Sequence, residues 1–178
     1  MLLLLMSSSG PAFDGLYDEK IFVTQSAVVG RMLTASQTAD HNIDYTVLFD
    51  SNDTNATIGI LPLTYNASNG RFTNISGSTV CFSVSYQVNF ASNNSGVRQT
   101  WIEKNGQNSL RYGQNSAHPA QGQNTIVNGP ACITIANGEY FSVKVYQSSG
   151  LPLNLYVNDF NNTKIQITQV QGNYIFLQ

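Results

Sequence analysis

The longest regular pattern of hydrophobic and polar positions in the chain lies at residues 80–90. Val80, Phe82, Val84, Tyr86, Val88 and Phe90 alternate with Cys81, Ser83, Ser85, Gln87 and Asn89. A period of two puts every large side chain on one face of a strand and every small polar one on the other. Asn93-Asn94-Ser95-Gly96 then turns the chain into residues 97–104, which hold the only tryptophan, Trp101, and end at Asn105-Gly106. Upstream, Asn69-Gly70 leads into the short strand-like run 71–75, and Ser76-Gly77-Ser78 separates that run from Val80. Long strands with one apolar face need a second layer to cover that face. The expectation is a β-sandwich with Phe82, Val84, Tyr86, Val88 and Trp101 inside and Ser83, Ser85 and Gln87 on the opposite face.

The remaining runs fit the same architecture. Strand patterns occur at 21–23 with 27–29, at 45–49, and at 58–63, where Pro62 marks an edge or a bulge. Further short runs stand at 110–112, 125–127 and 132–135, with a polar Gln/Asn/Ser/Gly stretch, 113–124, read as a long loop. Asn137-Gly138 is a hairpin signal ahead of 140–146, and 153–157 and 164–170 complete the set. About ten strands at a spacing of roughly 8–12 residues make an all-β, antiparallel sandwich of the single jelly-roll kind. No helix of consequence, internal repeat or linker interrupts it. Residues 20–178 are read as one jelly-roll domain and 1–19 as an apolar arm with its hinge.

Composition adds that the surface is polar without being charged. Asp, Glu, Lys and Arg make up 10% of the 178 residues, against roughly 25% in an average soluble protein. The net charge is −2 and the eight basic residues are scattered, so no nucleic-acid footprint is present. So little charge leaves little repulsion between molecules, which suits an extracellular or assembled protein. The N-terminal run Met1-Leu2-Leu3-Leu4-Leu5-Met6 is shorter than the roughly 7–15 residues of a signal-peptide core and has no basic residue before it. It is also far too short to span a membrane. It reads as a retained arm, pinned against its own domain or a neighbouring subunit, with Ser7-Ser8-Ser9-Gly10-Pro11 as the hinge.

Candidate chemistry is sparse, and no cofactor or metal is expected. The two histidines, His41 and His118, are far apart in the chain, and no second His or Cys stands at metal spacing from Asp40, His41 and Asp44. Asp50 and Asp53 read as a solvated turn before they read as a calcium loop. Glu103 has no carboxylate partner near it, and no Gly-x-Ser-x-Gly elbow, P-loop or dinucleotide fingerprint occurs, so an enzyme is not expected. Cys81 and Cys132 are each out of phase with the large apolar residues around them, which puts them on the same kind of face. A disulfide is then geometrically open to them, although free, packed thiols are the expectation for a protein assembled inside a cell. Asn-x-Ser/Thr acceptors stand at Asn52, Asn55, Asn66, Asn74, Asn93 and Asn161. Chance alone gives about four in a chain so rich in Asn, Ser and Thr.

The order Tyr65-Asn66, Gly70-Arg71-Phe72-Thr73, Gly77, Phe82-Ser83-Val84, Lys104-Asn105-Gly106, Ile133-Thr134-Ile135 and Gly138-Glu139-Tyr140-Phe141 resembles the C1q/TNF-like superfamily. The likeness runs over roughly residues 44–170. It departs from the family pattern in one extra residue between Gly77 and Phe82, in Val80 at the usual aromatic place, and in Glu139 for the common Asp. The Gly-X-Y collagen stem that many members carry is absent from the sequence. The resemblance implies a ten-stranded jelly roll and a trimer that binds receptors or glycans, with similar knobs found on viral spikes and vertices.

Taken together, these features favour a non-enzymatic virion structural protein: a jelly-roll capsid, vertex (penton) or spike component. It would assemble as a homo-oligomer with other capsid proteins, a pentamer if it sits at a vertex. The second reading is a secreted C1q/TNF-like trimer binding a receptor or glycan. Leu2, Leu3, Leu4 and Leu5 of the arm are expected interface residues. Tyr140 and Tyr146, out of phase with Phe141, Val143 and Val145, join them as aromatic contacts.

Overall fold

In the computed structural model, which describes residues 27–157 and 162–170, the alternating stretch is a single strand, Val80–Phe90, at the centre of the larger of two sheets. Thirteen strand segments occur among the described residues, in chain order: β1 (Val28–Met32), β2 (Gln37–Ala39), β3 (Tyr45–Thr46), β4 (Ser51–Asn52), β5 (Leu63–Asn66), β6 (Arg71–Asn74), β7 (Val80–Phe90), β8 (Arg98–Lys104), β9 (Arg111–Ala117), β10 (Thr125–Ile135), β11 (Tyr140–Gln147), β12 (Leu153–Leu155) and β13 (Lys164–Val170). All pairings are antiparallel.

In the larger sheet β7 is flanked along its whole length by β10, and on its other edge by β13 and then β12. β1 and β4 continue beyond β13, and β2 beyond β12. The smaller sheet runs β5-β6-β11-β8-β9, with β3 paired to β11 beside β6. The chain passes repeatedly between the sheets, at β2–β3, β3–β4, β4–β5, β6–β7, β7–β8, β9–β10, β10–β11 and β11–β12, so strands of one layer cover the apolar face of the other. That connectivity is a jelly roll.

The alternation holds residue by residue. Phe82, Val84, Tyr86, Val88 and Phe90 are buried between the sheets, and Ser83 and Ser85 face outward. Opposite them stand Phe72, Ile102, Phe141, Val143 and Val145 of the smaller sheet, with Phe72 and Phe141 stacked at 5.2 Å between ring centroids. Each such side chain removed from water stabilises the fold by about 1.5–3 kcal/mol. The Tyr86 hydroxyl reaches across the core to the carbonyl of Gly113 at 2.5 Å, tying β7 to β9, and Thr100 donates back to it.

Several sequence expectations change. Trp101 is buried, yet it points away from the sandwich interior. The stretch 113–124 is not one loop, because β9 extends through Ala117. The runs 125–127 and 132–135 are parts of one continuous strand, β10. Pro130 sits inside it because β10 has β7 as its only ladder partner among the described strands, so a missing N–H on the other edge costs nothing. Residues 58–62 form only a single bridge, Val28 to Ile58, before β5 begins. The run 21–23, the arm 1–19 and Asn161 lie outside the described residues.

Candidate functional site

The outer face of the smaller sheet carries most of the charged side chains that its strands hold. β8 pairs with β11 so that Glu103 lies opposite Ser142 and Trp101 opposite Lys144, all facing away from the core. Trp101 is fully buried because other side chains cover it there. The Arg111 guanidinium lies 4.1 Å from the centroid of its ring, and Asp44 and Asn108 hold that guanidinium in place, with Asp44 at 3.4 Å. A bulge makes room for the arrangement: between the pairs Thr100–Asn115 and Ile102–Tyr112, β8 has Trp101 alone while β9 has Gly113 and Gln114. Gly113 takes φ +59°, and a Cβ there would stand 2.3 Å from the carbonyl oxygen of Pro130. Only glycine fits both demands. Sequence reading grouped Trp101 with the apolar face of the alternating residues. Its parity with Gln99 and Glu103 was the signal that it belongs to the outer face.

Beside the covered tryptophan, an open cleft of about 390 Å³ runs between β3, the β5–β6 turn, β8 and β11. Its floor is Glu103, only 5% exposed, with the Lys144 ammonium 3.4 Å away and bonded in turn to the Thr46 hydroxyl at 2.7 Å. The Arg71 guanidinium sits 4.1 Å over the ring of Tyr140 at the rim, with Ser68 and Asn69 beside it. The cleft therefore presents a neutralised ion pair, a cation on an aromatic face, and short hydroxyl and amide groups. It can hold a polar molecule by hydrogen bonds and stacking. Its second carboxylate, Asp44, is taken up by the Arg111 guanidinium at 3.4 Å.

The outer face of the larger sheet is different in kind. Cys81, Ser83, Ser85 and Gln87 of β7 alternate out from the core, flanked by Asn128, Pro130, Cys132 and Thr134 of β10. On the other flank stand Gln166 and Thr168 of β13. A shallow hollow of about 360 Å³ lies here among Ser85, Gln87, Asn128, Lys164 and Gln166. Lys164 is the one charged side chain of β7, β10 and β13. The two thiols meet on this face, with their Sγ atoms 2.8 Å apart. Both cysteines are free, and the hydrogen bond between the two thiols is the main reason the pKa of Cys132 is raised.

The other residues singled out from the sequence are placed as follows. Tyr140 and Tyr146 project from the outer face of the smaller sheet; Tyr140 packs under Arg71 and the Tyr146 hydroxyl donates to Asn42 Oδ1 at 2.8 Å. The Asp50 carboxylate accepts from the Thr34 N–H and hydroxyl and from the Ala35 N–H, and Asp53 accepts from the Asn55 N–H. His41 Nδ1 accepts from the Gly150 N–H, and no group of three or more His, Cys, Asp or Glu stands together among the described residues. Of the glycan acceptors, Asn74 is fully buried, its amide donating to the carbonyls of Ser78 and Ile135, which removes it from consideration. Leu2, Leu3, Leu4 and Leu5 lie outside the described residues. Glu139, read only as a family departure, proves to be a junction. Its carboxylate holds Lys104 at 2.6 Å, the Ala136 N–H and the Asn105 amide, and Lys104 above all brings its pKa down to about 2.

No family model and no curated protein matches the sequence. Solved structures do match. The Eiger TNF of S. frugiperda superposes with a TM-score of 0.61 at 8% identity, over 86% of this chain and 98% of that one. Murine APRIL superposes at 0.60 and 10% identity in its pH 8.5 crystal structure, and at 0.59 and 11% in that at pH 5.0. In both cases 82% of this chain covers 100% of that one. Identities this low establish the architecture and nothing finer: the chain has a TNF-like jelly-roll fold.

Proposed function

We propose that this protein is a non-enzymatic assembly module, a homo-oligomer whose copies meet through the outer face of the larger sheet. One observation carries the reading: that face is built from small, uncharged side chains on three adjacent long strands, with Lys164 alone bearing charge. Ordinary solvent-facing sheet surfaces carry interspersed Lys, Glu and Arg, and depletion of charge is what distinguishes the centre of an interface. The C1q/TNF-like resemblance favours a trimer. A virion capsid, vertex or spike component suits the uncharged composition and the arm at Leu2 to Leu5, and a vertex position would make it a pentamer. The cleft at Glu103, Lys144, Arg71 and Tyr140 favours a second reading, a secreted module that binds a receptor or glycan on the opposite, outer side of the trimer.

Light scattering on the full chain tests the assembly. The expected mass is three times the 19.4 kDa of one chain. Ser85→Arg, which puts a charge in the middle of the proposed contact, is expected to give folded monomers. Tyr140→Ser with Tyr146→Ser, on the other sheet, tests the aromatic contact that those two residues suggest from the sequence, and leaves the oligomer intact if the copies meet on the larger sheet instead. An oligomer that survives Ser85→Arg and falls apart in the double variant moves the contact to the smaller sheet and overturns the assignment. For the virion reading, a chain without residues 1–6 is expected to stay folded and to fail to enter particles. Normal incorporation would remove the arm as the assembly contact, and failure of the intact chain to enter particles would leave the secreted reading in place of the virion one.

A further inference from the structure

We infer that Cys81 and Cys132 form a reversible cross-strand disulfide on the outer face of the larger sheet, made by exchange with a small disulfide of the glutathione class. The register puts Cys81 opposite Thr134 and Cys132 opposite Ser83, so the two thiols are diagonal neighbours on one face rather than directly paired. Diagonal positions in an antiparallel pair are separated by about 7–8 Å between Cα atoms, beyond the comfortable reach of a relaxed disulfide. Here the Sγ atoms nevertheless stand 2.8 Å apart. About 0.8 Å of further approach brings them to the bond length of ~2.05 Å. Cys132 is exposed and Cys81 half-buried, so a small reagent reaches the pair from solvent. A third sulfur, imidazole or carboxylate to make a metal site is missing among the described residues, which leaves thiol–disulfide chemistry as the use of the pair.

The exchange balances without another reactant. The Cys132 thiolate attacks one sulfur of the oxidised reagent, giving a mixed disulfide and releasing one small thiolate. The Cys81 thiolate then attacks the Cys132 sulfur, and the second small thiolate leaves. The reagent takes the two electrons and the two cysteine protons. The product clamps the edge strand β10 to the central strand β7 and closes a chain loop between positions 51 apart in sequence. Because the bond is exposed and joins diagonal positions, it belongs with the labile disulfides, which small thiols reduce in the folded protein. The clamp lies on the face through which the copies are proposed to meet, so Ser85→Arg, expected to be monomeric, is oxidised in parallel with the wild-type chain, which separates shielding by a neighbouring copy from failure of the pair to close.

The test is equilibration of the full-length, reduced protein with oxidised glutathione, followed by acid quench, denaturation, thiol titration and intact mass. The expected result is loss of both titratable thiols with a mass lower by two hydrogen atoms, reversed by dithiothreitol in native buffer. Thermal melting of the oxidised form is expected on the order of 5–10 °C above the reduced form. Cys81→Ser is expected to stop at the mixed disulfide, heavier by one glutathione. Retention of two free thiols, stable double glutathione adducts, or covalent dimers in place of the internal bond would overturn the inference.

Discussion

Replacing Arg111 with alanine uncovers the only tryptophan in the chain, which makes the outer-face position of Trp101 directly measurable. The wild-type indole is fully buried, yet it is absent from the cluster of side chains between the sheets. Its cover on the solvent side includes the Arg111 guanidinium at 4.1 Å. A cation over an indole face contributes about 1 kcal/mol at a partly exposed site. The accompanying ion pair, whose Arg111 and Asp44 side chains are 29% and 31% exposed, adds at most about 1 kcal/mol. Arg111→Ala should therefore cost about 1–2 kcal/mol, which for a domain of this size is about 3–6 °C in Tm. Emission is the sharper readout: it should shift to longer wavelength and become several-fold more sensitive to acrylamide. Arg111→Lys keeps the charge but not the flat stack, and should fall between the two. A folded Arg111→Ala protein with unchanged emission and quenching would put Trp101 between the sheets and refute the register of β8.

Two further changes test the core and the Glu139 junction. Phe82→Ala should cost about 3–5 kcal/mol in urea unfolding while Ser83→Ala, one residue on and on the other face, stays within about 0.5 kcal/mol; reversed costs would shift the register of β7 by one residue. The Glu139 carboxyl titrates at about 2 in the folded protein and at an ordinary value of 4.5 otherwise. A lowered pKa supplies stability that is fully present above the ordinary value and disappears as pH falls toward the folded one. The stability gap between wild type and Glu139→Gln should thus be constant above pH 4.5 and close as pH approaches about 2; a gap that does not change with pH would remove the ion pair as its cause.

What the sequence determined by itself is the set of features that depend only on neighbours along the chain. The alternation of residues 80–90 sets which side chains of β7 share a face, because a strand has no other period. Asn105 and Gly106 both take positive φ, 51° and 69°, and so make the turn that an Asn-Gly pair announces. The antiparallel sandwich and the outward-facing serines follow from the same local rules. What only the tertiary structure decided is which face meets which partner. Trp101 shares its parity with Glu103 and so belongs to the outer face, yet nothing in the chain near Trp101 foretells that Arg111 will lie across it. The strand through residues 113–117 read as loop because its polar side chains face solvent or the β10 edge, leaving no apolar alternation to reveal it. Cys81 and Cys132, 51 positions apart, meet because β7 and β10 pair in one particular register. The cleft is likewise assembled from β3, the β5–β6 turn, β8 and β11. Such sites need strand register and sheet closure, which arise from packing the whole core and not from any single segment of the chain.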